Sequence, residues 1–289
     1  MKYISILLLA VVLFSCGGTK NVVQDQSNTT QEVSTSESPE VQDSIPVEEP
    51  IQTEKSSIQK ESQPTDSVIN VSRGKTISIH DAWNDLLQKY VSSEGEVDYG
   101  GFKSDKAKLR SYIDALSELS PNNEWLKNET LAYWINAYNA LTIDLILRNY
   151  PLESIKDIKD PWDQRLWKFG EKWINLNDIE HKILRKMNEP RIHFAIVCAS
   201  ESCPKLLNEA FTANTLETQL SDATRGFLSD TSKNEISENE IKLSKIFKWF
   251  AKDFKTEGSL IDFLNAYTDV NISNKAKKSF KDYDWSLNN

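Results

Sequence analysis

Residues 129 to 149 read E-T-L-A-Y-W-I-N-A-Y-N-A-L-T-I-D-L-I-L-R-N. No other run constrains the chain as much. It holds neither Pro nor Gly, and its apolar residues occupy nearly every face of a helix. A helix that is apolar all round must be covered all round. Glu129–Asn149 is therefore predicted to be a buried central helix, with Pro151 ending it. Asn136 and Asn139 stand three apart on one side of it, with Ala132 and Ile143. A buried amide needs a partner, or it costs about 1–3 kcal/mol. The pair reads either as structural, bonded to neighbouring backbone, or as functional, with Asn139 orienting a catalytic side chain and Asn136 a ligand.

The layers around that helix come from one part of the chain. All eight Trp lie at Trp83 or later, and residues 17–75 contain no Trp, Tyr or Phe. That stretch is rich in Ser, Thr, Glu, Gln, Val and Pro. It cannot bury enough apolar area to offset chain entropy, so a disordered linker is expected there. Ahead of it, Lys2 precedes an apolar run from Tyr3 to Phe14, too short to span a bilayer but suited to a secretory leader. The ending Leu13-Phe14-Ser15-Cys16 resembles a bacterial lipoprotein signal. The organisation expected is a signal peptide at 1–16 with lipidated Cys16, a linker at 17–75 and a globular domain at 76–289. Gly17-Gly18-Thr19-Lys20 carries no acidic cluster, which points to the outer membrane, facing the periplasm. The expected partners are the membrane, through the lipid anchor, and an unidentified envelope substrate or protein. A net charge of −9 argues against a nucleic acid.

Within the domain, helical spacing is expected over 79–91, with Trp83, Leu86, Leu87 and Tyr90 on one face, and over 104–119. Ser120-Pro121 reads as a further helix start. Trp167-Lys168-Phe169 and Trp173-Ile174-Asn175 flank a Gly-containing turn and predict a hairpin. Asn177 and Glu180 have the spacing of a capping box for a helix over 178–187. Further helices are expected over 215–228, over 245–254 after Ser244 and over 260–267 after Ser259. A second hairpin is expected over 234–243, and a short strand near Tyr283 to Asn288. The fold class is α+β, a predominantly helical single domain whose small sheet holds two hairpins and a strand at 191–197.

Chemistry concentrates between Glu189 and Leu206, E-P-R-I-H-F-A-I-V-C-A-S-E-S-C-P-K-L, which holds one of three His and two of three Cys. Arg191 to Val197 is short and rich in Ile, Val and Phe, which suits a buried strand. Pro204 suits the first turn of a helix, so Cys203 falls at its N-cap, where the helix dipole favours a thiolate. Cys198, ending an apolar strand, is expected to stay neutral and inert.

Several segments together resemble the family catalogued as domain of unknown function 547. They are V-D-Y at Val97, W-I-N-A-Y-N-A-L at Trp134, L-N-D-I-E-H-K-I-L-R at Leu176, R-I-H-F-A-I-V-C-A-S-E-S-C-P at Arg191 and the closing Y-D-W-S-L-N. The resemblance covers residues 79 to 289. It implies a domain and no particular reaction.

Four readings fit the Cys and His residues. They are a set of packing residues in a core. They are a thiol hydrolase or acyl transferase, with Cys203 as nucleophile, His193 or His181 as base, and Glu180 or Asn139 orienting the imidazole. In that case the Ala199–Ser202 loop supplies oxyanion donors, and Ser200, Ser202, Arg191 and Asn136 are candidate binding residues. They are a zinc site built from His181, His193, Cys198 and Cys203. Or Cys198 and Cys203 form a disulfide, left as an even pair once Cys16 is lipidated. The enzyme reading calls for no cofactor. The alternative function is a non-catalytic envelope binding or scaffolding module.

Overall fold

The chain is described from a computed structural model, in which residues 79–289 are described. The expected signal peptide, Cys16 and the linker lie outside the described residues. The expected class, α+β and mostly helical, holds.

The first layer is three helices, α1 (Asp81–Tyr90), α2 (Tyr99–Ser104) and α3 (Lys106–Glu118). The helical spacing of their apolar residues does what it predicts. Trp83, Leu86, Leu87 and Tyr90 of α1 are buried, as are Leu109, Tyr112, Ile113 and Leu116 of α3. Trp83 stacks on Tyr112 with ring centroids 5.7 Å apart. Ser120-Pro121 starts no helix. The next one, α4 (Lys127–Asn149), begins six residues later, where the Glu129 carboxylate accepts the Leu126 N–H at 2.8 Å. It is the predicted central helix, and every residue from Leu131 to Leu147 is buried. The expected hairpin follows as β1 (Trp167–Phe169) and β2 (Lys172–Ile174), with Gly170 at φ +56° in its turn. Trp167 Nε1 donates to the buried Asp144 carboxylate at 2.8 Å, tying the hairpin to α4.

The next segment departs from expectation. Asn177 caps nothing. Its amide donates to Asp163 Oδ1, and the Asp178 N–H goes to Asn175 Oδ1 instead. Asp178–Ile183 is a π-helical turn that runs into a 3₁₀ turn, Leu184–Met187. No capping box forms, and Glu180 is left to face inward. Residues 191–197 are no strand either. Pro190–Phe194 is a 3₁₀ helix, with Pro190 in its first turn and the Glu189 side chain accepting the Arg191 N–H. Every residue from Arg191 to Val197 is buried, and a continuous buried run reads alike as a strand or a helical turn. No helix follows Pro204.

The rest comprises α5 (Leu216–Ser229), β3 (Glu235–Ile236), β4 (Glu240–Leu243), α6 (Ile246–Trp249), α7 (Leu260–Tyr267) and β5 (Lys277–Phe280). The helix expected over 245–254 is broken into α6 and a 3₁₀ turn, Asp253–Lys255. Ser259 caps α7 as predicted, accepting the Asp262 N–H at 3.2 Å. β3 pairs antiparallel with β4, and β5 adds parallel to β4. The last residues run extended, with bridges from Ser286 to Ser154 and from Leu287 to Ser200.

Two apolar clusters result. One surrounds α4 and takes in α1 to α3 and the hairpin. The other joins Phe194, Phe227, Phe247 and Phe254 with Ile241, Leu243 and Leu264. The 3₁₀ turn at Pro190–Phe194 spans them, with Ile192 in the first and Phe194 in the second.

Candidate functional site

His193 lies between those two residues, and its ring opens on a cleft of about 220 Å³ shared by Glu180, His181, Cys198, Cys203, Phe250 and Tyr283. The cleft is assembled on α4. Asn139 donates to Ala195 O at 2.9 Å and accepts from Val197 N at 3.0 Å, so one amide holds the backbone that leads to Cys198. Asn136 clamps Phe211 in the same two-way fashion. Both are fully partnered structural amides. Tyr138, also on α4, donates to Glu180 Oε2 at 3.3 Å.

Asp253 is the electrostatic anchor. Arg185 bridges it with two bonds, Nε to Oδ2 at 2.6 Å and Nη2 to Oδ1 at 2.9 Å, and His193 Nε2 lies 2.9 Å from Oδ2. Burial opposes ionisation of Asp253, but the Arg185 and His193 bonds outweigh it and hold its carboxyl well below the usual carboxylate range. An ionised carboxylate only accepts, so His193 Nε2 carries its proton and Nδ1 keeps the lone pair. Burial pushes the His193 imidazole down, past what Asp253 restores, so the ring is neutral near pH 7. It stacks on Phe250 with centroids 4.0 Å apart. His181 Nδ1 lies 3.0 Å from Arg185 Nη1. A guanidinium only donates, so His181 Nδ1 is the acceptor. Burial and the Arg185 charge lower that imidazole too. Glu180 is buried without a cation of its own. Burial pushes its carboxyl up from 4.5 to about 7.

The two sulfurs face each other. Cys198 Sγ lies 3.2 Å from Cys203 Sγ, and both are free thiols. The hydroxyls of Ser200 and Tyr283 reach Cys198 Sγ at 3.1 and 3.2 Å. Ser200 donates to the Tyr283 oxygen, which leaves the Tyr283 proton for the sulfur. The Cys203 contact, then the two hydroxyls, lower the Cys198 thiol from 9.0 to about 7 against burial. Burial and the neighbouring Cys198 raise Cys203 well above its ordinary value. The expected order of acidity is thereby reversed. Cys203 has no helix behind it and is sealed at 5% exposure, while Cys198 is partly open to the cleft. Ala199, between Cys198 and Ser200, holds φ +57°, a left-handed conformation that a Cβ disfavours and that recurs at functional sites.

Residues 122–228 match the family described as protein of unknown function, DUF547. Those residues are a little over a third of the chain. No curated protein and no solved structure matches it. The matched residues include Asn139, Glu180, His181, Arg185, His193, Cys198 and Cys203, whereas Asp253 and Tyr283 lie beyond them.

Other candidates are placed outside the chemistry. Arg191 is held by Glu189 and Glu217, with Nε 2.7 Å from Glu189 Oε1, and faces away as a structural ion pair. Ser202 Oγ accepts the Asp284 N–H at 2.8 Å. Two of the loop amides expected as oxyanion donors are taken, Glu201 N by Ser286 O and Ser202 N by Asp284 O, and the neighbouring Cys203 N goes to Ser200 O. Among the described residues no three His, Cys, Asp or Glu side chains converge as a metal site, so the zinc set does not come together. No imidazole bonds to either sulfur among the described residues. Sequence reasoning missed Asp253, Tyr283, Arg185 and Tyr138. All but Asp253 stand in the segments that carry the family resemblance, and Asp253 sits in an aromatic stretch with no signal of its own.

Proposed function

We propose that this protein is a thiol-dependent hydrolase or acyl transferase with Cys198 as nucleophile, anchored to the bacterial cell envelope through lipid on Cys16. The observation that carries the reading is a partly exposed sulfur met by three side-chain groups, Cys203, Ser200 and Tyr283, at 3.1–3.2 Å. Such contacts favour the thiolate, which is the nucleophilic form. Attack on the carbonyl carbon of an ester or amide gives a tetrahedral oxyanion and then a thioester at Cys198. The leaving group needs a proton as the C–O or C–N bond breaks. Glu180, half-protonated near pH 7, supplies it. A water or acceptor hydroxyl then attacks the thioester, and the Glu180 carboxylate or His193 Nδ1 takes its proton. Asp253 and Arg185 are positioning residues that fix the His193 tautomer.

The lack of any imidazole–thiol bond favours the second reading, a non-catalytic envelope binding module. Incubating reduced protein with p-nitrophenyl acetate separates them. The enzyme reading expects a burst of nitrophenol and an acetyl adduct on Cys198, both abolished by Cys198→Ala and retained in Cys203→Ala. A rate unchanged by Cys198→Ala leaves the binding module. Rates should rise with pH through about 7 as Cys198 ionises, then fall as Glu180 loses its proton, giving a narrow bell. Mass spectrometry of membrane-extracted protein should show an acylated Cys16, and an intact Met1 on the mature chain would end the anchor proposal.

A further inference from the structure

The acyl chemistry needs one sulfur, and the cleft holds two. Cys198 is open to the cleft, and Cys203 lies behind it, 3.2 Å away and nearly sealed from solvent. The turn between them, closed by Cys203 N–H to Ser200 O, holds the sulfurs face to face. Closing a disulfide, at about 2.05 Å between sulfurs, needs a movement of roughly 1 Å. We propose that Cys198 and Cys203 form a redox-active dithiol that exchanges with disulfide substrates, Cys198 attacking and Cys203 resolving.

The electron balance is that of thiol–disulfide exchange. The Cys198 thiolate attacks one sulfur of a substrate disulfide, forms a mixed disulfide and expels the other sulfur as a thiolate. That thiolate takes up a proton, replacing the one that Cys203 gives up to solvent. Cys203 then attacks Cys198 Sγ, closes the internal disulfide and expels the second substrate thiolate, which takes up the proton that Cys198 released on ionising. The substrate disulfide is reduced to two thiols, and the protein dithiol is oxidised by the same two electrons.

Each step has its group. Tyr283, its phenol polarised by the Ser200 hydroxyl, holds charge on Cys198 when it attacks, and again when it is the leaving sulfur in the reverse direction. The Cys198 N–H lies 2.9 Å from Cys203 Sγ and stabilises charge there when Cys203 must attack. The ordering of the two thiols, the reachable one the more acidic, agrees with these roles. The substrate class follows from the rim. Trp249, 46% exposed, and Trp285 stack beside Tyr283, while Arg185 is spent on Asp253. The rim thus favours disulfides with apolar or aromatic flanks over strongly anionic ones.

The test uses the reduced protein and 4,4′-dithiodipyridine, an uncharged aromatic disulfide, as probe, read by intact mass and peptide mapping. The wild-type chain should lose two hydrogens and carry no lasting adduct, with Cys198 joined to Cys203. Cys203→Ser and Cys203→Ala should each trap one thiopyridyl group on Cys198, at a rate that climbs with pH as the thiol ionises. Circular dichroism matching the wild type shows that each variant is folded. Cys198→Ser should give neither the bridge nor the adduct. A wild-type chain that stays a dithiol, or that accumulates a stable thiopyridyl adduct, overturns the proposal, as does a folded Cys203 variant that traps nothing. The acetyl-adduct experiment is run in reductant and reads another bond. Its failure leaves the dithiol standing, and failure here leaves the acyl chemistry standing.

Discussion

The cluster around α4 and the cluster at the C-terminal end bury their residues by different means. The first is made of long helices, and its members recur at helical spacing. Leu109, Tyr112, Ile113 and Leu116 are one such row, all at 6% exposure or less. The second is made of rings drawn from short pieces. Phe194 comes from a 3₁₀ turn, Phe227 from α5, Phe247 from α6 and Phe254 from another 3₁₀ turn, with centroids 4.8–6.4 Å apart. The cleft lies where the two meet. The helical side supplies rigid supports, Asn139 and Tyr138. The aromatic side supplies Asp253, Phe250 and Tyr283. A scaffold of regular elements holds the irregular segment that carries the chemistry.

The comparison predicts how each side fails. Phe247→Ala should cost about 3–5 kcal/mol by leaving a hole among the rings of Phe194, Phe227 and Phe254. Asn139→Ala strands a buried N–H and a buried carbonyl at once. At about 1–3 kcal/mol for each group, it should cost about 4 kcal/mol and slow alkylation of Cys198. Both variants should unfold in a single denaturant transition, because Pro190–Phe194 belongs to both clusters. Two transitions in either one would break the molecule into separate halves and remove the cleft's rationale.

Glu180 gives the next largest effect. Its carboxyl is raised in the fold, so the native state holds a proton that the unfolded chain releases between pH 4.5 and about 7. Stability therefore falls as pH rises through that window, by on the order of 3 kcal/mol, and is level above it. Glu180→Gln should flatten the dependence in urea titrations at pH 4.5 and 7.5. A slope equal to that of the wild type would place the charge elsewhere. The smallest effect sharpens the contrast from outside. Trp173, 56% exposed on β2, belongs to neither cluster, and Trp173→Ser should move the unfolding midpoint by no more than about 0.5 kcal/mol.

The same contrast explains what the sequence reveals. The helical cluster is legible because periodicity names both the elements and their buried faces. The aromatic cluster is not, since four residues of α6 and three of a 3₁₀ turn are too short to show a period. The run at 191–197 misleads because total burial erases the difference between strand and helical turn. Pro204 misleads because a residue suited to a helix start is suited to a loop as well. Glu180 looked spoken for as a capping residue, and only the π-helical turn turns it inward. His193, Cys198 and Cys203 are visible as rare residues close together. Which thiol is the acidic one depends on burial, on the contact between the two sulfurs and on the hydroxyls of Ser200 and Tyr283, an arrangement that only the folded chain brings together.

Tyr283 follows Cys198 by 85 positions and is held in place by the extended segment after it, whose Asn288 bonds to Tyr99 at 2.8 Å. A ribosome adding about 5–20 residues per second needs roughly 4–17 s to cover that gap. Until then a growing chain has both sulfurs and lacks the phenol that favours the thiolate. Chain synthesis thus works as a safety catch. The thiol lacks part of its acidity while the polypeptide is being made and handled, and gains the share that Tyr283 supplies only when the segment carrying it docks.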